Sequence, residues 1–142
     1  MWKRVTMPEP SVPKVMLIEN DPQFVYLMQR YAHSSGCQLI HVDPFGQVAL
    51  QAHKERPDIV LLDLEPDGDN GWQTLQELRA DPVTSVIPVY VCSASEVAAR
   101  GWEDRADGCL LKPVMYEDFV AALSAATSRL RSKTAAECVP GI

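Results

Sequence analysis

Residues 14–23 read KVMLIENDPQ. An apolar run, Val15 to Ile18, stops abruptly at Glu19, Asn20, Asp21 and Pro22. Four successive apolar residues without alternation predict a strand buried on both faces. Asp21-Pro22 predicts a helix start, an N-cap followed by proline at the first helical position. Two acids and an amide where a buried strand leaves the core are either a turn or part of a site. The ends of the other strands decide between the two.

The same reading extends along the chain. A helix is expected from Pro22 to about Ser34, with Phe24, Met28 and Tyr31 near one face and Gly36 ending it. CQLIHV (37–42) predicts a second strand. Asp43-Pro44 repeats the N-cap-proline device, and Phe45, Val48, Ala49 and Ala52 carry the period of an amphipathic helix. DIVLLDL (58–64) predicts a third strand, apolar on both faces. EPDGDNG (65–71) reads as a loop, and WQTLQELRA (72–80) as a helix with Trp72, Leu75 and Leu78 inward. VIPVYVC (86–92) predicts a fourth strand with Pro88 near its start. Residues 94–106 predict a short helix broken by Gly101, and GCLL (108–111) a fifth strand. A last helix is expected from Tyr116 to about Lys133, with Phe119, Val120, Leu123 and Leu130 inward and cations at its C-terminal end. Strands alternating with helices predict a parallel sheet covered on both faces. The expected organisation is an N-terminal arm (1–13), one domain (14–133) and a frayed tail (134–142).

Composition narrows the function. The 142 residues carry a net charge of −6, which argues against direct nucleic-acid binding, since that needs basic surface to displace phosphate counterions. No apolar stretch is long enough to span a bilayer, and MWKRVTMPEPSVP lacks the apolar core of a secretory signal. A cytoplasmic location is expected. Cys37, Cys92, Cys109 and Cys138 form no CxxC pair and make no ligand pattern with His33, His41 or His53. They are read as reduced, packed thiols.

In an open α/β sheet the site lies outside the carboxyl ends of the strands. The first strand ends in Glu19 and Asn20, the third in Asp63, the fourth in Ser93 and the fifth in Lys112-Pro113. Two carboxylates, an amide, a hydroxyl and an ammonium should therefore share one rim. Oxygen ligands of this kind suit Mg²⁺. A lysine across from a metal-bound aspartate suits phosphoryl oxygens. Neither GxxxxGK[ST] nor GxGxxG is present to cradle a nucleotide.

Taken together, these pieces resemble the receiver domain of two-component response regulators, in the CheY-like superfamily. The resemblance runs over about residues 14–130. It rests on EN after the first strand, DIVLLDL around Asp63, DNG ending at Gly71, CSAS with Ser93, and LLKP with Lys112. It implies a flavodoxin-like doubly wound (βα)5 fold with a five-stranded parallel sheet of order 2-1-3-4-5. It implies that Asp63 accepts a phosphoryl group from a histidine kinase or phosphotransfer protein, that Ser93 and Lys112 contact that group, and that Glu19, Asn20, Asp63 and the backbone carbonyl of Glu65 hold Mg²⁺. The Lys112–Pro113 bond is expected to be cis. A downstream protein partner is implied, with helix 4, strand 5 and helix 5 as the face for it or for a homodimer. No separate enzymatic activity is expected beyond self-catalysed phosphoryl transfer and hydrolysis.

Several residues depart from the family pattern. Asn20 stands where an aspartate is usual, so the Mg²⁺ site loses a charge. A unit pair at 4 Å is worth ~4 kcal/mol at an effective dielectric near 20 before desolvation. Even ~1.4 kcal/mol is a tenfold loss in affinity. Cys109 replaces the usual aromatic three positions before the lysine, the span from Ser93 to Lys112 is short, and Pro66 comes one position early. The alternative reading is a degenerate pseudo-receiver, a protein-binding module independent of phosphorylation. A flavin or phosphoester enzyme on the same fold is a third class, for which no phosphate loop, general base or substrate pocket is seen.

Overall fold

A computed structural model of the chain describes residues 12–44, 46–64 and 68–131. The elements are β1 (Lys14–Ile18), α1 (Pro22–Ser35), β2 (Gln38–Val42), α2 (Val48–Glu55), β3 (Ile59–Asp63), α3 (Gly68–Ala80), β4 (Val89–Ser93), α4 (Glu96–Arg100), β5 (Gly108–Leu111) and α5 (Tyr116–Arg131). The strands form one sheet in the order β2-β1-β3-β4-β5, with every neighbouring pair parallel. This is the doubly wound arrangement expected.

Side chains alternate across a strand, and here both sides are apolar. Val15, Leu17, Ile59 and Leu61 pack with Phe24, Val25 and Met28 of α1 and Phe119, Leu123 and Ala126 of α5. Met16, Ile18, Val60 and Leu62 pack on the opposite side with Val48 and Ala52 of α2, Leu75 and Leu78 of α3, and Trp102. Residues such as Met28 and Leu61 are almost fully enclosed, each stabilising the fold by roughly 1.5–3 kcal/mol relative to exposure. The absence of alternation in KVMLI and DIVLL follows from these two cores.

Local signals behave as expected at α1. Asp21 Oδ1 accepts from Gln23 N–H at 3.0 Å, Pro22 fills the first turn, and Gly36 closes the helix in the left-handed conformation (φ 73°). Other boundaries differ. Asp43 is not the N-cap of α2. It accepts from Gly46 N–H in a turn, and α2 begins after Gln47, which makes no side-chain cap. Phe45 lies outside the described residues. α3 begins at Gly68, inside the stretch read as loop, and Asn70 Nδ2 donates to Pro44 O at 3.2 Å. β4 begins after Pro88, since Ile87 N–H is engaged in a turn with Thr84 O and Val86 is exposed. α4 is a single short segment capped by Ser95, whose hydroxyl accepts from Ala98 N–H, and residues 101–105 continue as turns. Pro13, placed in the expected arm, already accepts from Gln38 N–H at the sheet edge. Residues 1–11 and the expected tail lie outside the described residues. No helix among the described residues is long and apolar enough to cross a membrane.

Candidate functional site

The parallel register builds the rim. Ile18 lies opposite Leu62, so the residues that follow, Glu19 and Asp63, reach the same level. Asp63 lies opposite Cys92, one residue before Ser93, and Ser93 lies opposite Leu111, one residue before Lys112. Lys112 N–H donates to Ser93 O at 2.8 Å, which extends the β4–β5 ladder to the rim. The Lys112–Pro113 peptide is cis.

Alternation then sorts the side chains. Glu19, Asp63 and Lys112 continue the odd or even rows of Leu17, Leu61 and Leu110, which face α1 and α5. Lys112 Nζ sits 2.9 Å from Asp63 Oδ1 and 3.4 Å from Glu19 Oε2. The ring of Phe24 lies 4.6 Å below the ammonium, a cation–π contact that restrains it from the α1 side. Ser93 continues the row of Val89 and Val91, which belongs to the other core. It is fully enclosed, and its Oγ accepts from Ser95 N–H at 3.0 Å.

Glu19 is buried and multiply engaged. Its Oε1 accepts from Asn20 N–H at 2.9 Å and Asp21 N–H at 3.0 Å, while Oε2 faces Lys112. Asn20 is exposed on the same turn. Glu65 lies outside the described residues. Of the residues singled out from the sequence, the structure thus joins Asp63, Lys112 and Glu19 in direct contact. It sets Asn20 and Ser93 beside them. Phe24 was read only as a core residue, and its residue type carries no signal in sequence for its contact with Lys112.

The electrostatics are unbalanced. Two buried carboxylates share one ammonium. Asp63 Oδ1 is enclosed, and the Lys112 ammonium at 2.9 Å is the cation that faces it. Burial raises the Asp63 pKa to about 6, with Lys112 pulling it down and Glu19 pushing it further up. Two buried carboxylates against one ammonium leave surplus negative charge and oxygen atoms alone, which suits a hard cation. Among the described residues no three His, Cys, Asp or Glu side chains group together. The described residues bring two buried carboxylates together here, with Asn20 exposed on the adjoining turn.

Known proteins resemble this chain in sequence and in fold. A model of the response regulator receiver domain matches residues 15–124. Protein PilH of Pseudomonas aeruginosa is 28% identical over 115 residues, covering 79% of this chain and 95% of PilH. The transcriptional regulatory protein MalR of Bacillus subtilis is 34% identical over 113 residues, covering 78% of this chain. The chain spans about half the length of MalR (48%) and of the Escherichia coli phosphate regulon regulator PhoB (56%). Among solved structures, the receiver domain of a Pseudomonas aeruginosa sensor histidine kinase, with magnesium in its active site cleft, superposes with a TM-score of 0.71 at 20% identity. That match covers 83% of this chain and 99% of the other. Vibrio cholerae chemotaxis protein CheY4 gives 0.71 at 18% identity, over 82% of this chain and 99% of CheY4. With a family model over most of its length and five parallel strands in the matching order, the chain belongs to the response regulator receiver domain family.

Proposed function

We propose that Asp63 accepts a phosphoryl group from the phosphohistidine of a histidine kinase or phosphotransfer protein, and that the change is read by a downstream protein. The observation that carries this is the pairing of the buried Asp63 carboxylate with Lys112 at the strand rim, 2.9 Å apart. In the transfer, an Asp63 carboxylate oxygen forms the new bond to phosphorus. The phosphorus–nitrogen bond breaks, and its electron pair stays on the departing imidazole. Asp63 is largely ionised at neutral pH despite its raised pKa, as a nucleophile must be. Lys112 turns from carboxylate to product oxygen, and the Ser93 hydroxyl donates to another. The resulting mixed anhydride is labile, which makes the signal transient.

Mg²⁺ would be held by Asp63, Glu19, Asn20 and the Glu65 carbonyl, and when bound it offsets charge on nucleophile and phosphoryl group together. The magnesium in the cleft of the Pseudomonas aeruginosa receiver supports this assignment. The test is intact mass after incubation with Mg²⁺ and acetyl phosphate. One added phosphoryl group is expected, and Asp63→Asn should abolish it. No uptake at any Mg²⁺ concentration rejects the reading.

A second reading is favoured by one observation. The Glu19 carboxylate is already tied to two backbone N–H groups and Lys112, and its neighbour Asn20 is neutral. On that reading the protein meets partners in one fixed state. Asn20→Asp separates the two: a gain of about tenfold or more in Mg²⁺ affinity together with new phosphorylation marks the natural protein as degenerate.

A further inference from the structure

The turn that carries Glu19 and Asn20 is held from outside by a strand-edge histidine. His41 is in β2, opposite Leu17 of β1. Its Nε2 lies 2.6 Å from the backbone carbonyl oxygen of Glu19. A carbonyl only accepts, so this nitrogen carries the proton and donates, which fixes the tautomer of a neutral ring. The same peptide is held at its other end, because Asn20 N–H donates to Glu19 Oε1 at 2.9 Å. One residue back, Glu19 N–H donates to Val42 O at 3.4 Å. The peptide plane between Glu19 and Asn20 is therefore clamped at oxygen by the imidazole and at nitrogen by a carboxylate.

Turning that plane would break the Asn20 N–H bond that orients the Glu19 carboxylate and change the backbone dihedrals on which Asn20 is carried. This matters more here than where both residues are acids. A neutral amide attracts a cation weakly, so its contribution depends on being placed correctly beforehand, and Mg²⁺ tolerates little departure from octahedral geometry. His41 reaches the turn through the Glu19 carbonyl.

We infer that His41 is a positioning residue for the cation site: its ring N–H sets the Glu19–Asn20 peptide and thereby presents the Asn20 amide and the Glu19 carboxylate to Mg²⁺. The inference rests on the reading of this rim as a Mg²⁺-dependent phosphoacceptor. Two variants separate the donor from the bulk of the ring. His41→Phe keeps a ring and removes the N–H. His41→Gln has an amide N–H at similar reach.

Isothermal titration with MgCl2 alone, with no phosphodonor, reads the effect directly. The Phe variant should bind Mg²⁺ about tenfold more weakly than the natural protein, the lower end for losing a group that orients a metal ligand. The Gln variant should stay within about twofold of the natural protein, since it keeps the donor. Melting temperatures in EDTA report on the fold separately. A purely structural role would lower them without separating the two variants in Mg²⁺ affinity. Unchanged affinity in the Phe variant, or equal losses in both, overturns the inference. A natural protein that binds no Mg²⁺ overturns the metal-dependent reading itself, and the inference with it.

Discussion

Lys112 Nζ stands 2.9 Å from Asp63 Oδ1 and 3.4 Å from Glu19 Oε2, so one ammonium serves two buried carboxylates that arrive on different strands. The three residues are separated by as many as 93 positions in the chain. Only the parallel register makes them neighbours.

Removing this ammonium leaves two acids facing each other in a poorly solvated hollow. Lys112→Met should lower unfolding stability by about 2–4 kcal/mol at pH 8, as expected for breaking a buried charge pair. The loss should shrink near pH 5, where Asp63 takes up a proton instead. Denaturant unfolding in EDTA at the two pH values checks this. Equal stability of variant and natural protein at pH 8 would mean that the contact does little.

Asp63 itself gives a pH dependence of definite sign. Its folded pKa, about 6, exceeds the value of about 3.9 in an unfolded chain. The folded state therefore binds this proton more tightly. Its contribution to stability is present below the unfolded pKa and is lost as pH rises through the folded one. Asp63→Asn carries no such penalty. In EDTA its advantage over the natural protein should be near zero around pH 4 and grow to on the order of 2–3 kcal/mol above about pH 7. A stability difference that is flat with pH, or that falls as pH rises, contradicts the assignment.

Gly108 opens β5 opposite Tyr90. A Cβ at this position would run into the Tyr90 ring. Gly108→Ala should destabilise the fold by about 1–3 kcal/mol through overpacking. In a Tyr90→Ala background the same change should cost much less, because the obstructing ring is gone. A double-mutant cycle by thermal unfolding measures this coupling, and strictly additive losses would contradict the packing described.

Much of the fold was legible because doubly covered strands leave a plain trace. VMLI and IVLL are continuous apolar runs since each face of the sheet has its own core. The rim was legible for a related reason: an acid directly after such a run has no place in the core and must sit at the exit. What failed were boundaries set by contacts elsewhere. Asp43-Pro44 has the composition of a helix cap, but the chain turns once more before α2 begins. DNG reads as loop, yet α3 runs through it, with Asn70 bonded back to Pro44. Val86 and Ile87 look like strand residues, while Pro88 contributes only its carbonyl to the pairing, accepting from Val60 N–H. The His41 bond to Glu19 joins residues 22 apart through a backbone atom, and backbone acceptors leave no mark in a sequence.

The outermost strand, β5, is also anchored at its far end. Asp107, just ahead of it, accepts from Arg79 Nη2 at 2.7 Å and from Val89 N–H at 2.8 Å, and Arg79 Nη1 holds Ser85 O and Ile87 O as well. Lys112 follows the strand at its other end. The four residues between them thus act as a short rod with a fixed foot and a charged tip. A change of charge at the tip therefore acts on a strand whose far end is tied to both α3 and β4.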